Sequence, residues 1–430
     1  MIVLNPDQQK AKEFFQRWWD SDKRFAILEG CAGTGKTTIV RELVQDLENC
    51  DPLFTAPTNE ACKQLENVLP LGSLIRTTYA AMNYRFKTDK EEKELVQMTH
   101  DALILNEINL LIIDECSMVG QELLDTIIAS GKKTLFIGHR SQLPEVDENI
   151  KTDSDCESVV FKQSYPIYTL TTPERNKGEL FEFINSLEEI IIKKPRVFKS
   201  KYTKNLDSVL DYIESKEGKK ELLEETSKII CWSNKEVDRF NTFIRKVIFT
   251  EFPELFLPKD RIVLLEPAVF VEPLDHVSKG TLGKFSNSKK ALRYSANTKA
   301  IVTKVTRATV LNVPCWELEV LCGDNERPLF YVPVDWGNVE ALSKLLKQDC
   351  YQYITKDARE KAFRKYHFIM SCFAKVKHSY AITTHRSQGM TIDKVFVSWR
   401  DIKKCNNASL RHKLLYVAAS RAKSELTIIE

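Results

Sequence analysis

Short apolar runs alternate with amphipathic stretches over the first part of the chain. The runs predict strands at Phe25–Leu28, Leu53–Ala56, Leu110–Ile113 and Thr134–Ile137, and the amphipathic stretches predict helices at Thr37–Leu47 and Glu60–Val68. Strands that alternate with helices favour βαβ units and a mostly parallel sheet covered on both faces. The pattern therefore predicts an α/β fold.

The pattern changes between Met82 and Asp101. Tyr84–Lys87 and Leu95–Met98 resemble strands around the polar turn Asp89–Lys93, which predicts a small hairpin inserted into the first domain. A charged helix over Asp89–Met98 is the alternative, because Glu and Lys favour helices.

Further along, an α/β pattern is interrupted by a β-rich region and then returns. Before the interruption we expect a helix at Gly178–Ile192, a strand at Ile229–Trp232 and a helix at Lys235–Ile248. From about Phe252 the expected strands are Ile262–Leu265, Val269–Val271, Lys299–Val305, Trp316–Leu321 and Leu329–Val332, followed by a helical stretch at Val339–Lys365. The returning segments are strand Ala381–Thr384, strand Lys394–Val397, helix Ser409–Ala422 and strand Leu426–Ile429.

Composition and charge narrow the class of protein without naming it. The 430 residues are 43% hydrophobic and 29% charged, as is usual for soluble globular proteins. The best candidate for a membrane span, Ile108–Ile113, lies between Glu107 and Asp114 and is too short to span a membrane. The N-terminal residues do not resemble a signal peptide, and the 11 scattered cysteines are typical of reduced thiols, so we expect a cytoplasmic protein. The net charge of +3 means that any nucleic-acid surface must be a local patch.

Candidate chemistry begins with a phosphate-binding loop. Residues 30–37 read Gly-Cys-Ala-Gly-Thr-Gly-Lys-Thr, which matches G-x-x-x-x-G-K-[ST] between a predicted strand and a predicted helix. The glycines let successive N–H groups point at phosphate oxygens, and the helix adds its positive N-terminus. Lys36 is suited to the β- and γ-phosphates and Thr37 to Mg²⁺.

Two further segments have the right chemistry for hydrolysis. Asp114 and Glu115 end an apolar strand, so Asp114 can complete a Mg²⁺ site and Glu115 can polarise the attacking water. Gln142 follows the next strand and could sense the γ-phosphate, with an ordinary polar loop as the alternative.

Seven segments, in order, resemble motifs of the superfamily 1 DNA helicases of the 5′-to-3′ branch, in particular the Dda-like and RecD-like proteins. They begin with Asn5-Pro6-Asp7-Gln8, Ala56-Pro57-Thr58 (with Ala61 and Leu65) and Asp114-Glu115-Cys116-Ser117-Met118. They continue with Leu170-Thr171 (with Arg175), Ser233-Asn234-Lys235, Thr384-His385-Arg386-Ser387-Gln388-Gly389-Met390 and Leu415-Tyr416-Val417-Ala418-Ala419-Ser420-Arg421. The phosphate loop alone is shared by many ATPases, whereas its combination with the last two segments is specific.

The resemblance implies two RecA-like parallel-sheet motor domains, with the β-hairpin and a β-rich SH3-like barrel and tower as inserts. The first motor domain is expected at residues 1–175, with the hairpin at about 82–101, and the second at 176–250 and 370–430. The β-rich insert would occupy residues 251–369, where the basic stretch Lys284–Lys304 either faces DNA or is a solvated surface.

The resemblance also implies roles for individual residues. ATP binding is assigned to Gln8, Gly30, Gly33, Thr34, Gly35, Lys36, Thr37 and Thr38, and Mg²⁺ binding to Thr37 and Asp114. Catalysis is assigned to Lys36, Glu115, Gln142, Arg175 and Arg421, DNA binding to Pro57, Thr58, Thr78, Tyr79, Asn234, Thr384 and His385, and the duplex-splitting wedge to Phe86, Leu95 and Val96. The implied partners are single-stranded DNA and single-strand/duplex junctions. The resemblance is also compatible with a protein partner, either a single-strand-binding protein or a replisome component.

Two positions depart from the motifs. His139 stands where an Asp is usual, which puts a metal-side role of that position in doubt, and Tyr79 stands where a His is usual. The sequence thus predicts an ATP-dependent, monomeric 5′-to-3′ DNA helicase, acting in the host cytoplasm if the protein is viral. The alternatives are a DNA-stimulated ATPase subunit without autonomous unwinding and, from a different enzyme class, a P-loop phosphotransferase.

Overall fold

The computed structural model describes residues 4–31, 33–45, 50–87, 94–97, 103–145, 156–172, 178–193, 200–249, 254–270, 292–323 and 326–430. The chain forms two compact units. The first unit comprises Met1–Tyr84, Gln97–Ile248 and Tyr380–Glu430, and the second comprises Arg85–Val96 and Phe249–Ser379. In these described ranges, no helix is both long enough and apolar enough to cross a membrane.

Helices and strands alternate through most of the chain. Up to residue 170 they are α1 (Pro6–Trp19), β1 (Phe25–Gly30), α2 (Lys36–Gln45), β2 (Pro52–Ala56), α3 (Asn59–Val68), β3 (Leu74–Thr77), α4 (Thr78–Ala81), β4 (Tyr84–Lys87), β5 (Glu94–Gln97), α5 (Leu103–Asn106), β6 (Leu110–Ile113), α6 (Gln121–Ala129), β7 (Lys133–Gly138) and β8 (Ile167–Leu170). Up to residue 310 they are α7 (Glu179–Lys193), β9 (Thr203–Lys204), α8 (Leu206–Glu214), α9 (Lys216–Glu224), β10 (Ser227–Cys231), α10 (Asn234–Ile248), β11 (Arg261–Leu264), β12 (Ala268–Phe270), β13 (Leu292–Tyr294) and β14 (Lys299–Val310). The remainder is β15 (Val313–Cys322), β16 (Leu329–Pro333), α11 (Trp336–Tyr351), α12 (Lys356–Met370), β17 (Val376–His378), β18 (Ala381–Thr383), α13 (Thr384–Ser387), β19 (Ile392–Ser398), α14 (Trp399–Ile402), α15 (Ala408–Ala419) and β20 (Ala422–Ile429).

Six strands of the first unit form a wholly parallel sheet in the order β3-β2-β6-β7-β1-β8. Its central strand β6 is buried along its whole length, and its side chains alternate between two cores. Leu110 and Ile112 belong to one apolar cluster, whereas Leu111 and Ile113 belong to another. Because successive side chains of a strand point to opposite faces, both faces of the sheet are covered.

The first unit contains a second parallel sheet, with five strands in the order β18-β10-β19-β20-β9. Helix α15 is buried at most of its residues and packs with α7 beside this sheet. The core of this part contains the fully buried residues Trp399 and Leu414. The α/β class and the parallel sheet predicted from the sequence are therefore confirmed.

The second unit contains a five-stranded antiparallel sheet in the order β16-β15-β14-β11-β17. The predicted helical stretch Val339–Lys365 is two helices, because Thr355 begins α12 as its N-cap. Strand β17 pairs with β11, so this unit extends to Ser379, beyond the boundary expected at residue 369. Residues 284–291 of the basic stretch lie outside the described ranges, and its later part is in β13 and β14.

The predicted hairpin is confirmed as a pair of strands. β4 and β5 form a two-stranded sheet, and the alternative helix over Asp89–Met98 is wrong at Glu94–Gln97, which is a strand. The turn Asp89–Lys93 and the side chains of Phe86, Leu95 and Val96 lie outside what the structure describes.

Candidate nucleotide and nucleic-acid site

The phosphate loop connects β1 to α2 at the carboxyl edge of the first sheet. Gly33 and Gly35 have φ angles of 85° and 77°, in the left-handed region that favours glycine. A Cβ added at Gly30 would lie 2.6 Å from Thr34 Oγ1, so the tight turn also needs glycine there. Thr38 lies in the first turn of α2, next to Thr37.

Lys36 is folded onto its own loop. Its Nζ donates to the carbonyl oxygens of Gly30 (2.6 Å) and Cys31 (2.9 Å). Burial lowers the pKa of Lys36, while the charges of Glu115 and Asp114 act in the opposite direction. The two carbonyls thus hold the ammonium group over the loop. Phosphate oxygens could take their place as acceptors for Lys36.

The structure brings Thr37 and the acidic pair together. Thr37 Oγ1 donates to Asp114 Oδ2 at 3.1 Å, and the backbone N–H of Glu115 donates to Asp114 Oδ1 at 2.8 Å. Burial and the neighbouring charge of Glu115 raise the pKa of Asp114 to about 6. A hydroxyl and a carboxylate are hard oxygen ligands that suit Mg²⁺. Among the described residues, no group of three or more His, Cys, Asp or Glu side chains is placed to hold a metal ion.

Glu115 has an unusual backbone. Its φ of 51° and ψ of 41° lie in the left-handed region, which is uncommon for a residue with a side chain. Its Oε2 accepts a short hydrogen bond from Gln142 Nε2, and Gln142 Oε1 accepts from the N–H of His139 at 2.8 Å. The amide of Gln142 is therefore oriented, with its NH₂ group on the carboxylate of Glu115.

His139 lies between the phosphate loop and α15. Its Nε2 is 3.5 Å from Cys31 Sγ, and its ring is 5.6 Å from that of Tyr416 between centroids. Burial and the charge of Lys36 lower the pKa of His139 to about 4. A neutral imidazole replaces the usual carboxylate here, so this position contributes packing and no negative charge.

Arg421 follows the end of α15, in the part of the first unit that contains the second parallel sheet. Its guanidinium donates from Nε to the carbonyl of Val417 (3.0 Å) and from Nη1 to that of Met390 (3.4 Å). The side chain is 7% exposed, and its charge lowers the pKa of Lys36. The charge of this predicted arginine therefore acts on the phosphate-loop lysine, while its hydrogen bonds go to residues around the end of α15. Arg175, its predicted counterpart, lies outside the described residues.

Several predicted contacts are engaged within the protein. Gln8 is 5% exposed and forms a capping box with Asn5 at the start of α1. Thr78 and Thr384 are buried, and their hydroxyls donate to Thr55 Oγ1 (3.3 Å) and to the carbonyl of Cys231 (3.1 Å). Their side chains hold strands in place, which leaves backbone groups as their means of contacting a ligand.

The remaining predicted DNA contacts lie at loops and helix starts. Pro57 and Thr58 follow β2, and Thr58 Oγ1 accepts from Ala61 N–H as the N-cap of α3. Asn234 is exposed at the start of α10. Burial lowers the pKa of His385. Tyr79 donates its hydroxyl to Glu145 Oε1 at 2.8 Å.

Sequence reasoning missed an ion pair between the buried Glu29, at the end of β1, and the exposed Arg140 after β7. Glu29 is 3% exposed, and the Nε of Arg140 donates to its Oε1 at 2.8 Å. The signal was available, because Glu29 is a carboxylate at the end of an apolar strand. Lys413 of α15, also missed, donates to the backbone carbonyl of Gln142 at 3.1 Å.

Two known families match this chain. The AAA domain family matches residues 3–173, and the UvrD-like helicase C-terminal domain family matches residues 378–429. The first match contains the phosphate loop and Gln142, and the second contains α15 and Arg421.

Similar proteins extend over nearly the whole chain. An uncharacterized protein of Acanthamoeba polyphaga mimivirus is 23% identical over 99% of this chain and 99% of its own length. The ATP-dependent DNA helicase dda of Enterobacteria phage T4 is 24% identical over 98% of each chain. A crystal structure of the Pif1 helicase from Bacteroides with ADP-AlF3 and ssDNA has a TM-score of 0.54 and 18% identity, covering 99% of this chain and 92% of that chain. That likeness concerns the fold, an α/β fold with a parallel-sheet RecA-like domain. By these matches the chain is similar, over nearly its whole length, to ATP-dependent DNA helicases related to Dda.

Proposed function

We propose that this protein is an ATP-dependent DNA helicase that moves 5′ to 3′ along single-stranded DNA and unwinds duplexes. The observation that carries the proposal is the site within the first unit. Thr37 of the phosphate loop contacts Asp114, Glu115 contacts Gln142, and the charges of Glu115, Asp114 and Arg421 all act on Lys36. A relative that is similar over 98% of its length is an ATP-dependent DNA helicase, which supports the same activity here.

In the proposed mechanism, the N–H groups of the loop and Lys36 bind the β- and γ-phosphates of ATP. Lys36 must exchange the carbonyls of Gly30 and Cys31 for phosphate oxygens. Thr37 and Asp114 would hold Mg²⁺, which neutralises charge on the phosphates. Glu115, oriented by Gln142, polarises the attacking water, and Arg421 stabilises the charge that develops on the transferred group.

We further propose that the two parallel sheets are two RecA-like motor domains, at residues 1–175 and at 176–250 with 380–430, because β17 belongs to the antiparallel sheet. The antiparallel sheet and the two-helix segment of the second unit would be the SH3-like barrel and the tower. Pro57, Thr58, Tyr79, Asn234 and His385 are proposed to follow the DNA backbone, with backbone groups of Thr78 and Thr384. The proposed partners are single strands and single-strand/duplex junctions, with a single-strand-binding protein or replisome component as a further candidate for a monomeric, cytoplasmic enzyme.

Steady-state ATP hydrolysis with and without an oligonucleotide tests the proposal. We expect single-stranded DNA to raise kcat, because a translocating motor couples strand binding to closure of the nucleotide site. An unstimulated ATPase would contradict the proposal. A phosphorylated small-molecule product would favour the phosphotransferase alternative instead.

Duplex substrates that carry one single-stranded tail, either 5′ or 3′, test unwinding and its direction. We expect strand separation only with the 5′-tailed substrate. A motor that moves 5′ to 3′ along a single strand reaches the duplex only when it starts on a 5′ tail. Unwinding from the 3′ tail alone would overturn the polarity. DNA-stimulated hydrolysis without unwinding of either substrate would identify an ATPase subunit that lacks autonomous activity.

Hairpin variants separate strand splitting from the motor. We expect Phe86→Ala or Leu95→Ala to keep DNA-stimulated ATP hydrolysis and to slow unwinding of a 5′-tailed fork about tenfold, because an apolar wedge replaces base stacking at the junction. Leu71→Ala is the control, since Leu71 is fully exposed in another loop. Wild-type unwinding by both hairpin variants would show that the wedge lies elsewhere.

A further inference from the structure

The loop that follows β7, residues 138–144, is anchored in the core beside the other parallel sheet. We call it the β7 loop. Leu143 is fully buried and belongs to the apolar cluster that contains Trp399 and Leu414. The other buried members of that cluster come from residue 184 onward, and the partly buried side chains packed against it come from residue 180 onward. The β7 loop therefore links the two sheets of the first unit physically.

Lys413 fastens the same loop to α15. Its Nζ donates to the backbone carbonyl of Gln142 at 3.1 Å and, through a short hydrogen bond, to the carbonyl of Arg140. The residue is 8% exposed, so these bonds form away from bulk water, where hydrogen bonds from a charged donor are strong. Lys413 thus fixes the backbone on both sides of Ser141.

Two weaker contacts join His139 of the β7 loop and Cys156 to α15 and its N-cap. The ring of His139 lies 5.6 Å from that of Tyr416 between centroids, in the C-terminal half of the helix. Cys156 Sγ contacts Oδ1 of Asn407 at 3.4 Å, and Asn407 is the residue that caps the N-terminus of α15. The helix is therefore attached along its length as well as at Lys413.

The two ends of this connection are groups that the proposed reaction uses. At one end, the side chain of Gln142 contacts Glu115. At the other, α15 leads directly into Arg421, whose guanidinium donates to the carbonyl of Val417 in the last turn. An α-helix transmits a displacement with little deformation, so a shift of the β7 loop moves Arg421.

We propose that Lys413 is a positioning residue that couples Gln142 to Arg421 during ATP hydrolysis. The inference rests on the proposed function and deepens it. When Gln142 and Glu115 rearrange around the γ-phosphate, Lys413 keeps the backbone of the loop attached to α15. The arginine then reaches the transition state only in molecules in which the loop has moved. Without the lysine, the carbonyls of Arg140 and Gln142 lose a buried donor and the two ends respond independently.

The substitution Lys413→Met tests this coupling, because it keeps the length and apolar stem of the side chain and removes the donor. We expect kcat for DNA-stimulated ATP hydrolysis to fall about tenfold or more, because both charge-assisted hydrogen bonds to the β7 loop are lost. KM for ATP and the Kd for an oligonucleotide should stay within about twofold of wild type, because the hydrogen bonds of Lys413 go to the backbone of the β7 loop. Lys423→Met is the matched control, since Lys423 is an exposed lysine on β20 beside Asp393. An unchanged kcat would overturn the proposal.

A double-mutant cycle with Gln142→Ala distinguishes coupling from a merely structural role. If Lys413 acts through Gln142, Lys413→Met lowers kcat in the wild-type background but has no further effect once Gln142 is alanine. Independent, additive losses would overturn the proposal, and so would a loss of kcat that Lys413→Arg fails to reverse at all. Lys413→Gln repeats the cycle if the methionine variant does not fold. Wild-type protein without DNA-stimulated hydrolysis would refute the proposed function itself, an outcome read before any variant is compared.

Discussion

Replacement of Lys36 by alanine is expected to abolish ATP hydrolysis while single-stranded DNA still binds. Phosphoryl transfer depends on positioning and on positive charge at the β- and γ-phosphates, and Lys36 is the cation of the loop. We expect kcat to fall by about 10³ or more, which places it at the limit of detection. The Kd for an oligonucleotide in the absence of nucleotide should change by less than about twofold, because Lys36 is not among the residues proposed to contact DNA.

The local geometry makes this variant informative. The hydrogen bonds of Lys36 go to carbonyls of its own loop, those of Gly30 and Cys31, and the carbonyl of Cys31 keeps Thr34 Oγ1 as a donor (2.9 Å) when Lys36 is removed. Alanine also favours the helix that begins at this residue. We therefore expect the thermal unfolding midpoint to stay close to that of wild type, and the loss of hydrolysis to reflect chemistry.

Steady-state ATP turnover and fluorescence anisotropy of a labelled oligonucleotide provide the measurements. Lys23→Ala is the control, because Lys23 is an exposed lysine shortly before β1. Substantial turnover by the Lys36→Ala protein would contradict the assignment of the loop as the nucleotide site. A parallel loss of DNA binding would instead indicate that the loop and the DNA path depend on each other.

The features that the sequence predicted well are those written in consecutive residues. The apolar run Leu110–Ile113 became the buried central strand, and the glycines at 33 and 35 adopt the left-handed angles that the loop motif requires. The hairpin at Tyr84–Lys87 and Glu94–Gln97 could be placed because strand residues flank a polar turn. In each case the information is local, so a short window is sufficient.

Edge strands were missed because their burial is partial. β8 completes the first sheet beside β1, yet Ile167 is 40% exposed and the strand does not alternate cleanly. β17 lies at the edge of the antiparallel sheet, and all three of its residues are only half-buried. A strand that has one neighbour and one solvated side has a weak hydrophobic pattern, and its existence is decided by the strand it pairs with.

Long-range contacts could not be predicted at all from single positions. Lys413 lies just before the segment Leu415–Arg421 that resembles a helicase motif, but the carbonyls that it binds belong to residues 140 and 142. Glu29 and Arg140 are likewise far apart in sequence and meet only because β1 and β7 are neighbours in the sheet. The departure at His139 gained an explanation in the same way, since its environment is set by Cys31 and Tyr416.

Replacement of Arg421 by alanine should have the second large effect, and it tests whether two sheets share one reaction. We expect kcat to fall by about 10³–10⁵, the range known for arginines that stabilise phosphoryl transfer. KM for ATP should change much less, because the guanidinium adds its charge where the transition state, and not the ground state, gains negative charge. In the structure it donates to the carbonyls of Val417 and Met390, so it must be released from at least one of them to act.

That structural engagement requires a control for stability. Because Arg421 is buried and its removal leaves Val417 and Met390 without this donor, Arg421→Ala should lower the free energy of unfolding by about 1–3 kcal/mol. Arg421→Lys keeps the charge and one donor direction but not the planar fork, so we expect it to restore stability more than kcat. Single-turnover hydrolysis and thermal unfolding of both variants separate the two effects. If Arg421→Lys regained stability and kcat in equal proportion, the arginine would be a structural residue of α15, and the catalytic charge would have to come from another residue.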